Sequence, residues 1–237
     1  LLNYSVVANA IEEGQEFIGY VTIYLLGLIV TVGITGPFTA GISYVTRNWA
    51  RDQHSFVLSD FWDAVKGNWK QAIGVSILTG FMPFLAYISY VTYGQQMANS
   101  VIFVVPLILV FLVILIWILS LKLVYTMMVT YELSFVSLLR NSMLITIARL
   151  PFALGIQLAG LWFPLLAVAL LFIFPGIDFY LLLAWILYFG LFGLAFNRML
   201  YASYANAQCE KYLNTRIEGA QTNIGLRPEN WDDTEYI

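Results

Sequence analysis

The sequence predicts an all-α integral membrane protein with five transmembrane helices, its N-terminus outside and its C-terminus inside, and amphipathic helices at the cytoplasmic interface. Three observations predict it. Hydrophobic residues make up 60% of the 237 residues and charged residues only 11%, too apolar a balance for an ordinary soluble domain. Five apolar stretches, at 17–35, 71–93, 101–127, 150–174 and 179–201, are each long enough to cross a hydrocarbon core of roughly 30 Å at about 1.5 Å per residue. All eleven Lys and Arg residues then fall on one side of that core. Backbone polar groups cannot go unpaired in lipid, so stretches of this length are expected as helices.

The basic residues choose the orientation. Arg47, Arg51, Lys66 and Lys70 lie between the first and second stretches, and Lys122 lies near the end of the third. Arg140 and Arg149 separate the third from the fourth; Arg198, Lys211, Arg216 and Arg227 close or follow the fifth. The opposite side carries Glu12, Glu13, Glu16 and Asp178 instead. Positive-inside sorting therefore predicts the N-terminus outside and the C-terminus in the cytoplasm.

Each element follows in order. In residues 1–16, Tyr4, Val7 and Ile11 stand at helical spacing, which suits a helix lying along the outer surface. The first stretch ends in Gly33-Ile34-Thr35-Gly36-Pro37, where a break or kink is expected, with a separate short helix over 38–47. The first cytoplasmic loop, 44–70, holds Trp49, Trp62 and Trp69, a residue type that favours the membrane interface. Within 55–71, Val57, Leu58, Phe61, Trp62, Val65 and Trp69 recur every three to four positions, predicting an amphipathic interface helix. The third stretch runs without a breaker into Tyr131 and Glu132, so its helix is expected to protrude. Lys122 near its end either snorkels to the headgroups or faces a pore.

The second cytoplasmic loop, 132–149, repeats the amphipathic pattern with Phe135, Leu138, Leu139, Ser142, Ile145 and Arg149. Pro164 is expected to kink the fourth stretch. Phe174-Pro175-Gly176-Ile177-Asp178 is a tight turn that would make the last two stretches an antiparallel hairpin. Residues 1–214 thus form one membrane domain, followed by a loosely ordered acidic tail, 215–237. The start lacks a basic n-region, so no cleavable signal peptide is expected, and Leu1-Leu2 in place of Met fits a native chain that begins earlier.

The chemistry of catalysis has little to work with here. Only one histidine, His54, and one cysteine, Cys209, are present, so neither a clustered metal site nor an internal disulfide is expected. The HExxH, GxSxG, GxxxxGK[ST] and CxxC patterns do not occur. No pair of ionisable residues lies deep within a predicted span, as proton relays require. The net charge of −3 argues against nucleic acid. No cofactor and no enzyme activity are expected. Gly74, Ser76, Gly80, Gly155 and Gly160 are small residues at which helices can approach closely, either within the bundle or against a partner.

Two stretches together resemble the YesL family of small bacterial membrane proteins. The first is Gly36-Pro37-Phe38-Thr39-Ala40-Gly41-Ile42-Ser43-Tyr44, followed by Arg47 and then by 59–71 with Phe61, Trp62, Lys66, Asn68, Trp69 and Lys70. The second is Leu139-Arg140-Asn141-Ser142, closing with Arg149-Leu150-Pro151. The resemblance implies a non-enzymatic accessory subunit of a bacterial carbohydrate (oligosaccharide) ABC importer. Its partners would be the permease subunits, with their ATPase and solute-binding protein in the assembly, and the lipid bilayer. Trp62, Lys66, Asn68, Trp69, Glu132, Arg140, Asn141 and Arg149 are the candidate partner contacts. Glu132 and Leu150-Pro151 also have the separation of the ATPase-docking loop of permeases, but Leu133-Ser134 and Leu138 stand where that loop has Ala-Ala and Gly. Two other classes remain open: a stand-alone small-molecule carrier or substrate-binding membrane subunit, and a membrane sensor or assembly factor.

Overall fold

The structure, a computed structural model, describes residues 4–174 and 176–216, and among them every regular element is helical. Eight α-helices follow one another: α1 (Tyr4–Ala50), α2 (Val57–Met97), α3 (Val104–Met128), α4 (Phe135–Ala148), α5 (Leu150–Gly160), α6 (Trp162–Ile173), α7 (Asp178–Tyr188) and α8 (Leu194–Tyr212). Four helical runs are long and apolar enough to cross a membrane: Ile18–Ala50, Val57–Met97, Val101–Met128 and Asp178–Tyr212. A fifth is added if α4 and α5, which meet at 92°, count as one broken span. The acidic tail expected over 215–237 lies, from residue 217 onward, outside the described residues.

The first two predicted boundaries are not there. Helix α1 runs from Tyr4 through Pro37 to Ala50, so there is neither a separate surface helix at 1–16 nor a second helix over 38–47. Pro37 removes one backbone hydrogen bond, but within an apolar helix of this length the neighbouring turns hold the path. What ends α1 is a turn of a different kind. Asp52 adopts a left-handed φ of 53°, Asp52 N donates to Trp49 O at 3.1 Å, and Gln53 N donates to Asn48 O at 2.9 Å. This is the Schellman arrangement, and aspartate is one of the few non-glycine residues that tolerates it.

Helix α2 then starts at Val57, so the predicted interface helix 55–71 and the predicted second span are one continuous helix. Its start is secured by Asp60 Oδ2, which accepts from Phe56 N at 2.9 Å and from Ser55 Oγ at 2.7 Å. The loop expected at 44–70 therefore shrinks to the six residues between α1 and α2. Helix α3 ends at Met128 rather than protruding to Glu132, because the chain turns at 129–133 with Thr130 N on Met127 O at 3.2 Å.

The fourth predicted span, 150–174, is divided. Its helix stops at Gly160 and restarts at Trp162. Pro164 explains the site: it lacks the N–H that would bond to the carbonyl four residues back, at Gly160, and its ring crowds that carbonyl. The expected kink is therefore a break. Gly176 carries a φ of 95° in the turn that leads to α7, a conformation glycine takes at no steric cost. The predicted antiparallel hairpin follows, with Phe163 of α6 stacked on Tyr188 at the far end of α7, ring centroids 4.2 Å apart. Between α7 and α8 lies a π-helical turn, Phe189–Gly193.

The chain forms two compact units. Unit 1 comprises Leu1–Pro37 and Trp69–Ile118; unit 2 comprises Phe38–Asn68 and Leu119–Ile237. In unit 1, α1 and α2 pack antiparallel along a seam of small residues. A β-carbon on Gly80 would meet Ile29 Cα at 2.8 Å, one on Gly33 would meet Ile77 Cγ1 at 3.3 Å, and one on Gly36 would meet the Ala72 carbonyl and Ser76 Oγ. Trp117 of α3 donates from Nε1 to Thr79 Oγ1 of α2 at 3.1 Å. In unit 2 the interior is built by Leu119, Leu123, Val124 and Met127 of α3, Leu138 of α4, and Ala205 and Cys209 of α8, all buried. Of the small residues marked in the sequence, Gly80 and Ser76 line the seam and Gly160 faces Tyr201, while a side chain at Gly155 would meet open space.

Candidate functional site

Helix α4 carries Arg140 and Asn141 of the expected contacts, with Glu132 in the turn before it and Arg149 at its end. Ser134 caps it: its backbone is extended and its hydroxyl oxygen accepts the Ser137 N–H at 3.3 Å. Leu138, Ser142, Ile145 and Thr146 form its buried stripe, at the spacing one helical face requires. On the opposite side Val136, Leu144 and Ile147 are 73%, 54% and 51% exposed, with exposed Arg140 on the same stripe. The helix thus has a second, apolar face that is exposed among the described residues. Pro151 stands in the first turn of α5, where its missing N–H costs nothing, and the chain turns through 92° at Arg149. Replacing Ser134 by Ala is expected to cost about 1 kcal/mol, seen as faster hydrogen exchange confined to the α4 amides; unchanged exchange there would show that the cap is idle.

The other candidate contacts divide. Trp62 and Lys66 are exposed on the first turns of α2, Trp62 lying edge-on to Phe61 at 5.3 Å and to Phe38 at 6.3 Å. Asn68 is partly buried and turns its amide onto the Ala64 carbonyl at 3.0 Å. Trp69 is exposed with Lys70 Nζ 5.6 Å from its ring. Glu132 is exposed in the α3–α4 turn, and Asn141 is half-buried on α4. Arg149 is committed within the chain. Its Nε donates to Tyr212 Oη at 2.6 Å, and its guanidinium lies 5.4 Å from the Phe152 ring and 5.6 Å from that of Tyr212.

Sequence reasoning missed the polar interior of unit 2. Arg51 and Glu210 form a buried ion pair at 3.6 Å, and Arg47 Nη1 donates to Asn48 Oδ1 at 3.1 Å beside it. Tyr131 donates to Asn214 Oδ1 at 2.6 Å. Burial pushes its hydroxyl above the usual tyrosine range, so it remains a protonated donor at any physiological pH. Lys122 neither snorkels nor faces a pore: it is buried, donates to Gln157 Oε1 at 2.7 Å and lies 5.0 Å from the Tyr201 ring. An amide oxygen and an aromatic face replace the headgroups it was expected to reach. The partners come from separate helices, which spacing along one helix cannot reveal. The signal that was available is the polar run of α8, where Asn206, Gln208, Glu210 and Lys211 follow an apolar stretch.

Unit 2 also holds a cavity of about 320 Å³. Ile42, Val45, Thr46 and Trp49 of α1, Val57 and Phe61 of α2, and Leu194, Ala195 and Arg198 of α8 line it. Its walls are almost wholly apolar, and Thr46 and Arg198 are the hydroxyl-bearing and charged residues among those that line it. Among the described residues no cluster of three or more His, Cys, Asp or Glu side chains is placed to hold a metal ion.

Long apolar helices and continuous helical backbone make this a multi-pass membrane protein. Residues 18–90, about a third of the chain, match the family described as "Protein of unknown function, DUF624". The matched segment contains the small-residue seam of α1 and α2 and the Trp62–Trp69 stretch. No curated protein and no solved structure matches the chain.

Proposed function

We propose that this chain is a non-enzymatic accessory subunit of a bacterial carbohydrate ABC importer, bound to the permease subunits and stabilising or regulating the complex. The observation that carries the reading is the stripe of α4 left exposed by the described residues, where Val136, Leu144 and Ile147 flank Arg140 on a helix set at right angles to α5. A helix so placed presents anchors at helical spacing to a groove on another protein, with one cation to set register. The match to DUF624, the family that includes the YesL proteins, supports the same reading. So does the one-sided distribution of Lys and Arg, which puts α4 on the cytoplasmic face with the C-terminus. This cavity, apolar around Thr46 and Arg198, is lined for hydrocarbon rather than for a sugar, which needs several polar partners.

Co-expression of the tagged full chain with the permease pair, followed by purification in mild detergent, tests the proposal. The permease is expected to be recovered with the tagged chain, and Arg140→Glu to cut that recovery by about tenfold or more while the variant itself purifies normally. Recovery of the wild-type chain alone would overturn it.

A further inference from the structure

We propose that the cavity beside Arg198 seats an anionic membrane lipid, its headgroup on the guanidinium and one acyl chain along the apolar wall. The wall is made by Val45, Trp49, Val57, Phe61 and Leu194. Trp49, Val57 and Leu194 are also exposed, so the cavity opens on the apolar outer surface of the protein rather than into a sealed core. Lipid chains reach it sideways.

Charge decides which lipid. Arg198 is partly buried, and its ionisable neighbours are the neutral phenols Tyr125 and Tyr201. The ion pair found among the described residues is that of Arg51 with Glu210, which leaves the Arg198 charge without a carboxylate there. A cation on an apolar wall calls for an anion that brings its own hydrocarbon. Depth agrees with this. The cavity lies along the last turns of α1 and the first turn of α2, and on α8 it sits where apolar sequence gives way to Asn197, Arg198 and the polar run beyond. That is the level at which headgroups meet acyl chains. A transmembrane helix from a partner, about 10 Å across with its side chains, does not enter a cavity of about 320 Å³, whereas a single acyl chain does.

The test uses the full chain reconstituted with phosphatidylglycerol and phosphatidylcholine of identical acyl chains, with retained lipid counted by native mass spectrometry after gentle delipidation. Phosphatidylglycerol is expected to be retained about fivefold over phosphatidylcholine, and Arg198→Gln to abolish that preference without abolishing retention. Ala195→Trp, which fills the cavity, is expected to reduce retention of both lipids. Excess inorganic phosphate is expected to leave the bound lipid in place; displacement by phosphate would identify a free-anion site and overturn the lipid reading. Equal retention of the two lipids by the wild type would overturn it as well, as would an undiminished preference in Arg198→Gln. A readout needing no variant is the melting midpoint of the wild type, which should rise when phosphatidylglycerol replaces phosphatidylcholine; an unchanged midpoint counts against a seated anionic lipid.

Discussion

Gly36→Ala is expected to destabilise the protein by about 3 kcal/mol and to lower its melting midpoint by roughly 6–12 °C. The reason is what the new methyl group would strike. It would meet the Ala72 carbonyl, whose carbon lies 2.8 Å from the β-carbon position, and Ser76 Oγ at 2.5 Å. A flexible side chain swings aside, but the backbone of a packed helix does not, so α1 and α2 must separate along the seam in unit 1. Gly27→Ala is the control: it lies on the same helix with nothing within 4 Å of its β-carbon position. That variant should melt with the wild type or slightly above it, because alanine loses less backbone freedom in a helix. If Gly36→Ala and Gly27→Ala melt together, the seam is not a close contact.

Removing the counter-charge in unit 2 should cost as much or more. Glu210→Leu leaves the Arg51 guanidinium buried without the one carboxylate paired to it among the described residues, with Arg47 adding a second positive charge nearby. The expected loss is about 3–5 kcal/mol. The paired change Arg51→Met with Glu210→Leu removes both charges and should recover most of that loss, since an ion pair in the interior barely repays its own desolvation. The check is a comparison of melts in one detergent: a double variant no better than Glu210→Leu alone would mean that packing around Glu210, and not charge, holds the site.

How much of this was legible in the sequence depends on the range of the interaction. Four of the five spans follow from apolar length alone and are present as long apolar helices, whereas the fourth, 150–174, is divided. The α4 stripe follows from a period within one helix, and Leu138, Ser142 and Ile145 are buried as that period requires. Pro164 and Gly176 act on their own backbone, so the break and the turn were also visible. Gly36-Pro37 misled because the same residues serve two ends. Glycine reads as a breaker locally, yet here it lets two helices touch, and α1 continues through it. The joining of 55–71 with the second span was hidden for a related reason: polar positions suggest an interface, but nothing in 68–72 stops a helix. Arg51 with Glu210 and Lys122 with Gln157 lie farthest out of reach, since each pair is made by tertiary packing of helices distant in the chain. Of the eight candidate contacts, Arg149 illustrates the cost: it read as a candidate partner contact, whereas Tyr212 and Phe152 already engage it.

The wide turn Phe189–Gly193 has a bearing on how related chains should be compared. A π turn carries one residue more than an α turn for nearly the same rise, so every side chain after it is set back by about 100° around the axis from where an α-helical count places it. A helical wheel drawn straight through 179–201 would therefore assign α8 residues to the wrong quadrant. Arg198 and Tyr201, one at the mouth of a cavity and the other beneath Lys122, would appear to point elsewhere. Alignments across this helix need a phase correction of one position at Gly193, where the Tyr188 ring leaves no room for a side chain.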